Sequence, residues 1–257
     1  MRIATWNVNS VRARLNRLLP WLEEHQPDVL CLQETKVVDE QFPFEPIEDQ
    51  GYECRVFGQK TYNGVAILSR VGSEDVVTGF PDDEDDAQKR VIGCQVGDVQ
   101  ILNLYVPNGS EVGSDKYRFK LDWLARLRAF LDERYDANEK LVVTGDFNIT
   151  FDDRDVHDPE LWHEKILCST PEREALAEVM AFGLSDALRH FTDEAGIYTW
   201  WDMRQLAFPK NHGLRIDHFL VTKPALEAAT GVTVDREARK GKQPSDHAPV
   251  ILELADS

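Results

Sequence analysis

The stretch Leu141-Val142-Val143-Thr144-Gly145-Asp146-Phe147-Asn148 decides how this chain is read. A short apolar run, rich in β-branched residues, meets a glycine and then two side chains with oxygen donors. Such a run predicts a buried strand rather than a helix. Gly145 is expected to permit a tight backbone turn. Asp146 and Asn148, two apart, face one side if strand geometry continues. One could orient or deprotonate water, and the other could donate to a developing phosphorane oxygen. The plain alternative is an Asx turn, in which the same residues only cap the strand.

The same grammar recurs outward along the chain. Trp6-Asn7 ends a strand at 2–7, and Leu32-Gln33-Glu34 ends a continuous apolar run from 28. That run suits a strand covered on both faces. Tyr105-Val106-Pro107-Asn108 ends a strand at 99–106, Arg215-Ile216-Asp217 opens one at 216–222, and Ser245-Asp246-His247 precedes one at 249–254. If these strands lie side by side, their polar rims converge on one site of Asp, Glu, Asn, His and Tyr. That set suits a hard divalent cation and attack on a phosphate. Asp217 sits between apolar residues and needs a partner, for which a histidine is the natural choice. Ser245 lacks the GxSxG context of a nucleophile. Tyr105 could donate to a phosphate oxygen or simply pack on its proline turn. Tyr198-Thr199-Trp200-Trp201 lies near Arg204, Lys210, His212 and Arg215, a mix suited to stacking on bases or sugars. Core packing is the alternative reading.

The remaining pattern completes the layout. Helices are predicted over 11–24, with Ser10 as N-cap, and over 116–135 and 171–182. Residues 39–50, rich in proline and acids, read as loop. Strands are predicted at 52–57, 64–69 and 91–96, with Gly97-Asp98 as a hairpin turn. The result is an α/β chain: a mixed sheet in each half, the two packed face to face with helices outside. A single domain over 1–257 is expected, because the motifs span the chain.

Composition sets limits. Apolar residues make up 42% of 257, enough for a sizeable core, and no run approaches a membrane span. The N-terminus is already strand-like rather than a signal peptide. The four cysteines form no CxxC pair, which fits free thiols in a reducing cytoplasm. Acids outnumber bases 46 to 29, for a net charge of −17. That sum argues against a nucleic-acid partner, yet distribution matters more. The densest acidic run, Asp82 to Asp86, reads as a solvated loop. Basic residues gather at Arg12, Arg14 and Arg17, at Lys116, Arg118 and Lys120, and at Arg236, Arg239, Lys240 and Lys242. A basic rim around an acidic site follows from that clustering.

In this order, the motifs resemble the exonuclease III family of abasic-site endonucleases, within the endonuclease/exonuclease/phosphatase superfamily. The specific stretches are Thr5 to Ser10, Leu32 to Lys36, Asn63 to Ile67, Tyr105 to Gly109, and Tyr198 through Asp217. The resemblance implies a four-layered α/β sandwich and a phosphodiesterase dependent on Mg²⁺, or Mn²⁺ in its place. It implies cleavage 5′ to abasic sites and removal of nucleotides or blocking groups from 3′ ends of double-stranded DNA. By matching motifs, Glu34 would be the principal metal ligand, supported by Asn7 and Asp246, with Asp146, Asn148 and His247 in the same set. Asp146 would activate water, Asn148 would stabilise the pentacovalent phosphorus, and Tyr105 would contact the scissile phosphate. His247, paired with Asp217, would polarise a phosphate oxygen. Whether Asp146 or His247 is the base, and whether one or two metals act, stays open. Trp200, Leu214 and Ile216 match positions lining a pocket for a baseless sugar. Arg12, Lys36, Asn63, Gly64 and Asn108, with Arg204 beyond them, match positions near the DNA. Glu111 departs from relatives that carry a basic residue there, and an acid would repel phosphate. A cytoplasmic monomer is expected. A different phosphoesterase on the same fold, or a non-catalytic DNA binder, are the competing readings.

Overall fold

Alternation of side chains along each strand explains the layers. The computed structural model describes residues 1–85 and 87–255. Its elements run β1 (Arg2–Asn7), α1 (Leu15–His25), β2 (Val29–Gln33), α2 (Phe44–Glu48), β3 (Glu53–Phe57), β4 (Val65–Ser69), β5 (Glu74–Thr78), β6 (Val91–Val96), β7 (Val99–Tyr105) and α3 (Asp115–Arg134). They continue with β8 (Lys140–Asp146), α4 (Pro159–Trp162), α5 (Thr170–Met180), β9 (Leu184–Asp186), α6 (Ala187–Phe191), β10 (Trp200–Trp201), β11 (Gly213–Leu214), β12 (Asp217–Thr222), α7 (Lys223–Ala228), β13 (Ala229–Val234) and β14 (Val250–Leu254).

Two six-stranded mixed sheets result, ordered β13-β14-β1-β2-β4-β3 and β5-β6-β7-β8-β12-β9, with a separate ribbon β10-β11. Each holds one central parallel pair, β1 with β2 and β7 with β8. Ile3, Cys31 and Ile67 of the first sheet meet Cys94, Ile101, Val142 and Phe219 of the second in the central core. The alternate residues face outward. Ala4, Trp6, Leu30 and Leu32 pack on Leu18, Trp21 and Leu22 of α1 and Ile47 of α2. Leu102, Leu104, Val143 and Leu220 pack on Trp123, Leu127 and Leu131 of α3 and Leu176 and Val179 of α5. Each such side chain buried stabilises the fold by roughly 1.5–3 kcal/mol. The four layers are helix, sheet, sheet, helix, as expected. No helix among the described residues is long and apolar enough to cross a membrane.

Several expectations need correction. The sheets do not each come from one half of the chain: β13 and β14 return to the first sheet, while β5, β6 and β7 belong to the second. The first helix starts at Leu15 with no side-chain cap. Ser10 lies in a preceding turn, where its hydroxyl accepts from Ala13 N at 3.3 Å. Residues 39–50 are not all loop. They hold a 3₁₀ turn at Asp39–Gln41 and the short helix α2, whose buried Ile47 anchors it. Pro46 is tolerated because it lies in the first helical turn. Asp82 and Asp83 of the acidic run grip Arg126 of α3 at 2.6 and 2.7 Å. Asp86 of that run, and Asp256 and Ser257 of the expected domain, lie outside the described residues.

Gly145 does not open a turn. It lies inside β8 with φ +135°, and a Cβ there would sit 1.9 Å from Leu104 O of β7. Glycine is needed for this close approach of two backbones. Gly145→Ala is therefore expected to destabilise by about 3 kcal/mol or more. Gly231→Ala, where an added Cβ meets nothing within 4 Å, is expected to change stability little. Denaturant melts of the two variants would check this, and equal midpoints would contradict it.

Candidate active site

Along the central strands, the inward-facing residues change character in step. β1 runs Ile3, Thr5, Asn7; β7 runs Ile101, Asn103, Tyr105; β8 runs Val142, Thr144, Asp146; β12, entering antiparallel, runs Val221, Phe219, Asp217. Apolar rungs thus give way to the site, through a neutral polar residue on β1, β7 and β8 and directly from Phe219 on β12. The neutral rung is knitted together. Gln33 Nε2 donates to Thr5 Oγ1 at 2.9 Å and to Asn103 Oδ1 at 2.7 Å. Asn103 Nδ2 donates to Leu32 O and Ala66 O, each at 2.9 Å.

Above that rung the two sheets meet through one amide. Asn7 Nδ2 donates to Glu34 Oε1 and to Asp146 Oδ2, each at 2.9 Å. Glu34 also pairs with Lys36 at 2.8 Å, and Lys36 binds Asn9 Oδ1. Asn9 Nδ2 donates to Asp246 Oδ1 at 3.0 Å, and Trp200 Nε1 donates to the other Asp246 oxygen at 3.0 Å. His247 Nδ1 lies 2.9 Å from Asp217 Oδ2, and its Nε2 lies 3.7 Å from Asp146 Oδ2. Thr199 holds Asp217 in place: its hydroxyl donates to Asp217 Oδ2 at 2.6 Å and accepts from Asp217 N at 3.1 Å. The chain turns after Asp146, with Asn148 at φ 51° and its N–H on Asp146 Oδ1 at 2.9 Å. The Asx turn and the site are thus one structure rather than alternatives.

Charge follows burial. Burial opposes protonation of His247, but the carboxylates of Asp217 and Asp146 outweigh it and raise the imidazolium to about 10. Burial also raises the Asp146 carboxyl, against the pull of His247. For Glu34, burial is outweighed by Lys36 and Asn7, which hold the carboxyl below its ordinary range. Burial, then the charges of Glu34 and Asp146, push the Tyr105 phenol far up, so it stays a hydrogen-bond donor.

The sequence profile of the "Endonuclease/Exonuclease/phosphatase family" matches residues 4–247. The chain belongs to that family. It is similar to exodeoxyribonuclease III of Haemophilus influenzae, 36% identical over 99% of this chain and all of that protein (100%). Among solved structures it resembles a 3′ phosphatase from Neisseria, NExo, bound to a product DNA hairpin. That match has a TM-score of 0.95 and 44% identity, covering 100% of both chains. An AP endonuclease from Archaeoglobus fulgidus also superposes with a TM-score of 0.95, at 36% identity over 99% of each chain. As a member of the exonuclease III branch, the protein is a nuclease.

The endonuclease/exonuclease/phosphatase family depends on a divalent metal, and the donors here fit one. Glu34, Asp146, Asp246, Asn7 and Asn148 offer oxygen, which hard cations prefer. Asp146, Asp217 and His247 bring ligand atoms within 4.8 Å of one another. Asp217 is committed to Thr199 and His247, which leaves Glu34, Asp146 and Asp246 as the carboxylates that could serve a cation.

Other residues named from sequence fall at varying distances from this chemistry. Asn108 Nδ2 donates to Asn148 Oδ1 at 3.1 Å. Leu214 and Ile216 are buried with Leu167 and Cys168, and Trp200, Trp162 and Ile166 pack against them. Gly64, at φ +88°, abuts Thr35, and Asn63 donates to Gln59 at 2.9 Å. Arg12 is exposed, and Arg204 pairs with Asp202 at 2.9 Å. The basic rim is thinner than expected. Lys120 is fully buried and Arg239 is buried, and Arg17 holds the carbonyls of Ala238 and Lys240; Arg215, expected beside the aromatic stretch, is buried between Asp155 and Asp186. Sequence reading missed Thr199 as the brace of Asp217. It also missed Arg90, whose guanidinium lies 4.6 Å from the Tyr105 ring centroid and donates to Tyr105 O at 3.0 Å. No local signal marked Arg90, since only the fold brings it beside Tyr105.

The His247–Asp217 ion pair makes stability depend on pH. A raised imidazolium stabilises the fold fully below the ordinary imidazole range, and this is lost as pH rises towards about 10. In chelator, the melting temperature of the parent should fall more steeply between neutral pH and 10 than that of His247→Gln. Parallel curves would contradict the buried ion pair.

Proposed function

We propose that the chain works as one domain, a Mg²⁺-dependent DNA-repair nuclease with Mn²⁺ as a substitute. It cleaves duplex DNA 5′ to abasic sites and cleans 3′ ends by exonuclease and phosphatase action. One observation carries this reading: Glu34, Asp146 and the Asp217–His247 pair meet at one rim of the two sheets, in a chain similar over its whole length to exodeoxyribonuclease III. A monomer in a reducing cytoplasm fits the four free cysteines.

Glu34 is the principal ligand in this reading, with Asn7 and Asp246 in support and Asp146, Asn148 and His247 at its border. The cation, when bound, supplies Lewis-acid polarisation of a phosphate oxygen. The protein's own groups do the rest. Asp146 is the better base, because burial raises its proton affinity. His247 is held protonated by Asp217, so it donates to a phosphate oxygen rather than accepting a proton. Tyr105, kept as a phenol, is a second donor. Asn148 Nδ2 gives one hydrogen to Val106 O at 3.0 Å, and its other hydrogen serves the phosphorane oxygen. Trp200, backed by the buried Leu214 and Ile216, offers a baseless sugar an apolar surface, while Arg12, Lys36, Asn63, Gly64, Asn108 and Arg204 border the duplex.

Asp146→Asn and His247→Ala should each lower turnover by at least ~10². The substrates are a duplex with a single abasic analogue, a recessed 3′ end and a 3′-phosphate end. Near-parental turnover in either variant contradicts its role. Cleavage of small phosphodiesters with none on DNA would instead favour another chemistry of this fold.

KM for duplex should rise at least ~10-fold over a four-fold increase in salt, as roughly two neutralised phosphates require. A flat profile would remove the electrostatic grip from this picture.

A further inference from the structure

Lys120 stands apart from the surface lysines around it. It lies on α3 with none of its surface exposed. An ammonium has three hydrogens and no acceptor, and each hydrogen here has a partner. Nζ donates to Asn148 O at 2.7 Å, to Asn108 O at 3.1 Å and to Glu172 Oε1. Glu172, equally buried on α5, is itself fixed. Its Oε1 also accepts from Leu167 N at 3.1 Å, and its Oε2 accepts from Ser169 N at 3.2 Å. Leu167 O in turn accepts from Thr150 N at 2.8 Å, which returns the chain of bonds to the turn after Asp146.

The place of this pair is what matters. Two carbonyls bound by one ammonium belong to the two turns that bring Asn108 and Asn148 to the cleft. These asparagines are bonded to each other through their side chains at 3.1 Å. Asn148 has φ 51°, so its side-chain direction depends on holding an uncommon backbone conformation. Gly109 closes over the lysine stem, and a Cβ there would lie 3.1 Å from Lys120 Cδ. Stability alone is a weak reason for such a pair, because well-packed apolar residues in its place often serve as well or better. Geometry is the stronger one: no apolar side chain could hold two carbonyls.

We infer that Lys120 is a positioning residue of the active site, fixing the turns of Asn108 and Asn148 through their carbonyls with Glu172 as its buried counter-ion. This rests on the reading that Asn148 serves the phosphate. Lys120 touches no reacting atom and acts through Asn148.

The experiment compares Lys120→Met, Asn148→Ala and the double variant, all assayed on abasic duplex well below their melting temperatures. Lys120→Met should lower kcat about ten-fold or more while KM stays within about two-fold. In the Asn148→Ala background it should lower kcat little further, because the two act as a unit. A folded Lys120→Met with parental kcat overturns the inference. So does a loss that is fully additive with Asn148→Ala, or one that appears in KM alone. If Lys120→Met does not fold, Lys120→Met/Glu172→Leu removes the orphaned carboxylate as well and is read in the same way. Parental kcat in Asn148→Ala would instead sink the assignment of Asn148. Parental kcat in Lys120→Met beside an impaired Asn148→Ala sinks this inference alone.

Discussion

Asn7 offers both hydrogens of one amide to two carboxylates that come from different sheets. Glu34 comes just after β2 of the first sheet, and Asp146 ends β8 of the second. Bonds to charged acceptors contribute about 1.5–3 kcal/mol each, and these two also prevent like charges from parting the sheets at their rim. The apolar core shared by the two sheets stops below this point. Between the apolar core and the cleft lies a rung of Thr5, Gln33, Asn103 and Thr144, each with hydrogen-bond partners of its own. On β1, β7 and β8 that rung stands between the site and the apolar interior, whereas on β12 Phe219 directly precedes Asp217 along the inward face.

Charge in the cleft is balanced in two ways. Lys36 answers Glu34, and His247 answers Asp146 and Asp217 together. The first balance keeps Glu34 ionised, as its proposed role as a ligand requires. The second keeps His247 an imidazolium, with Thr199 locking the carboxylate behind it; in the proposed mechanism that imidazolium meets a phosphate oxygen. The division of labour proposed between base and donor rests on these surroundings rather than on the residue types.

Beneath the cleft, ion pairs do structural work that surface charge would not suggest. Arg215 lies between Asp155 and Asp186, Lys120 beside Glu172. Both sit on or against segments that carry site residues: Leu214, Ile216 and Asp217 in one case, Asn108 and Asn148 in the other. Cations counted towards DNA binding are thereby withdrawn from it, which leaves a negatively charged body with few free basic side chains at its rim.

Much of this was legible in the order of residues. Strand ends at Asn7, Glu34, Tyr105 and Asp146 can be read because a period-two pattern ends in a polar residue wherever a buried strand meets the rim. The layered α/β class followed from the same pattern. Strand β5 was missed because Glu74-Asp75 at an exposed edge carries no apolar alternation. Strand β13 was not predicted either, and the place of β14 in the first sheet was not legible, because pairing between distant strands is decided by which edge remains open. Local sequence thus determined which side chains stand at strand ends and what they can do. Tertiary structure alone decided that Gly145 is needed for a neighbouring backbone, that Thr199 braces Asp217, that Arg90 lies on Tyr105, and that Lys120 points inward. Each of these depends on contact between segments far apart in the chain, and no local periodicity encodes such a contact.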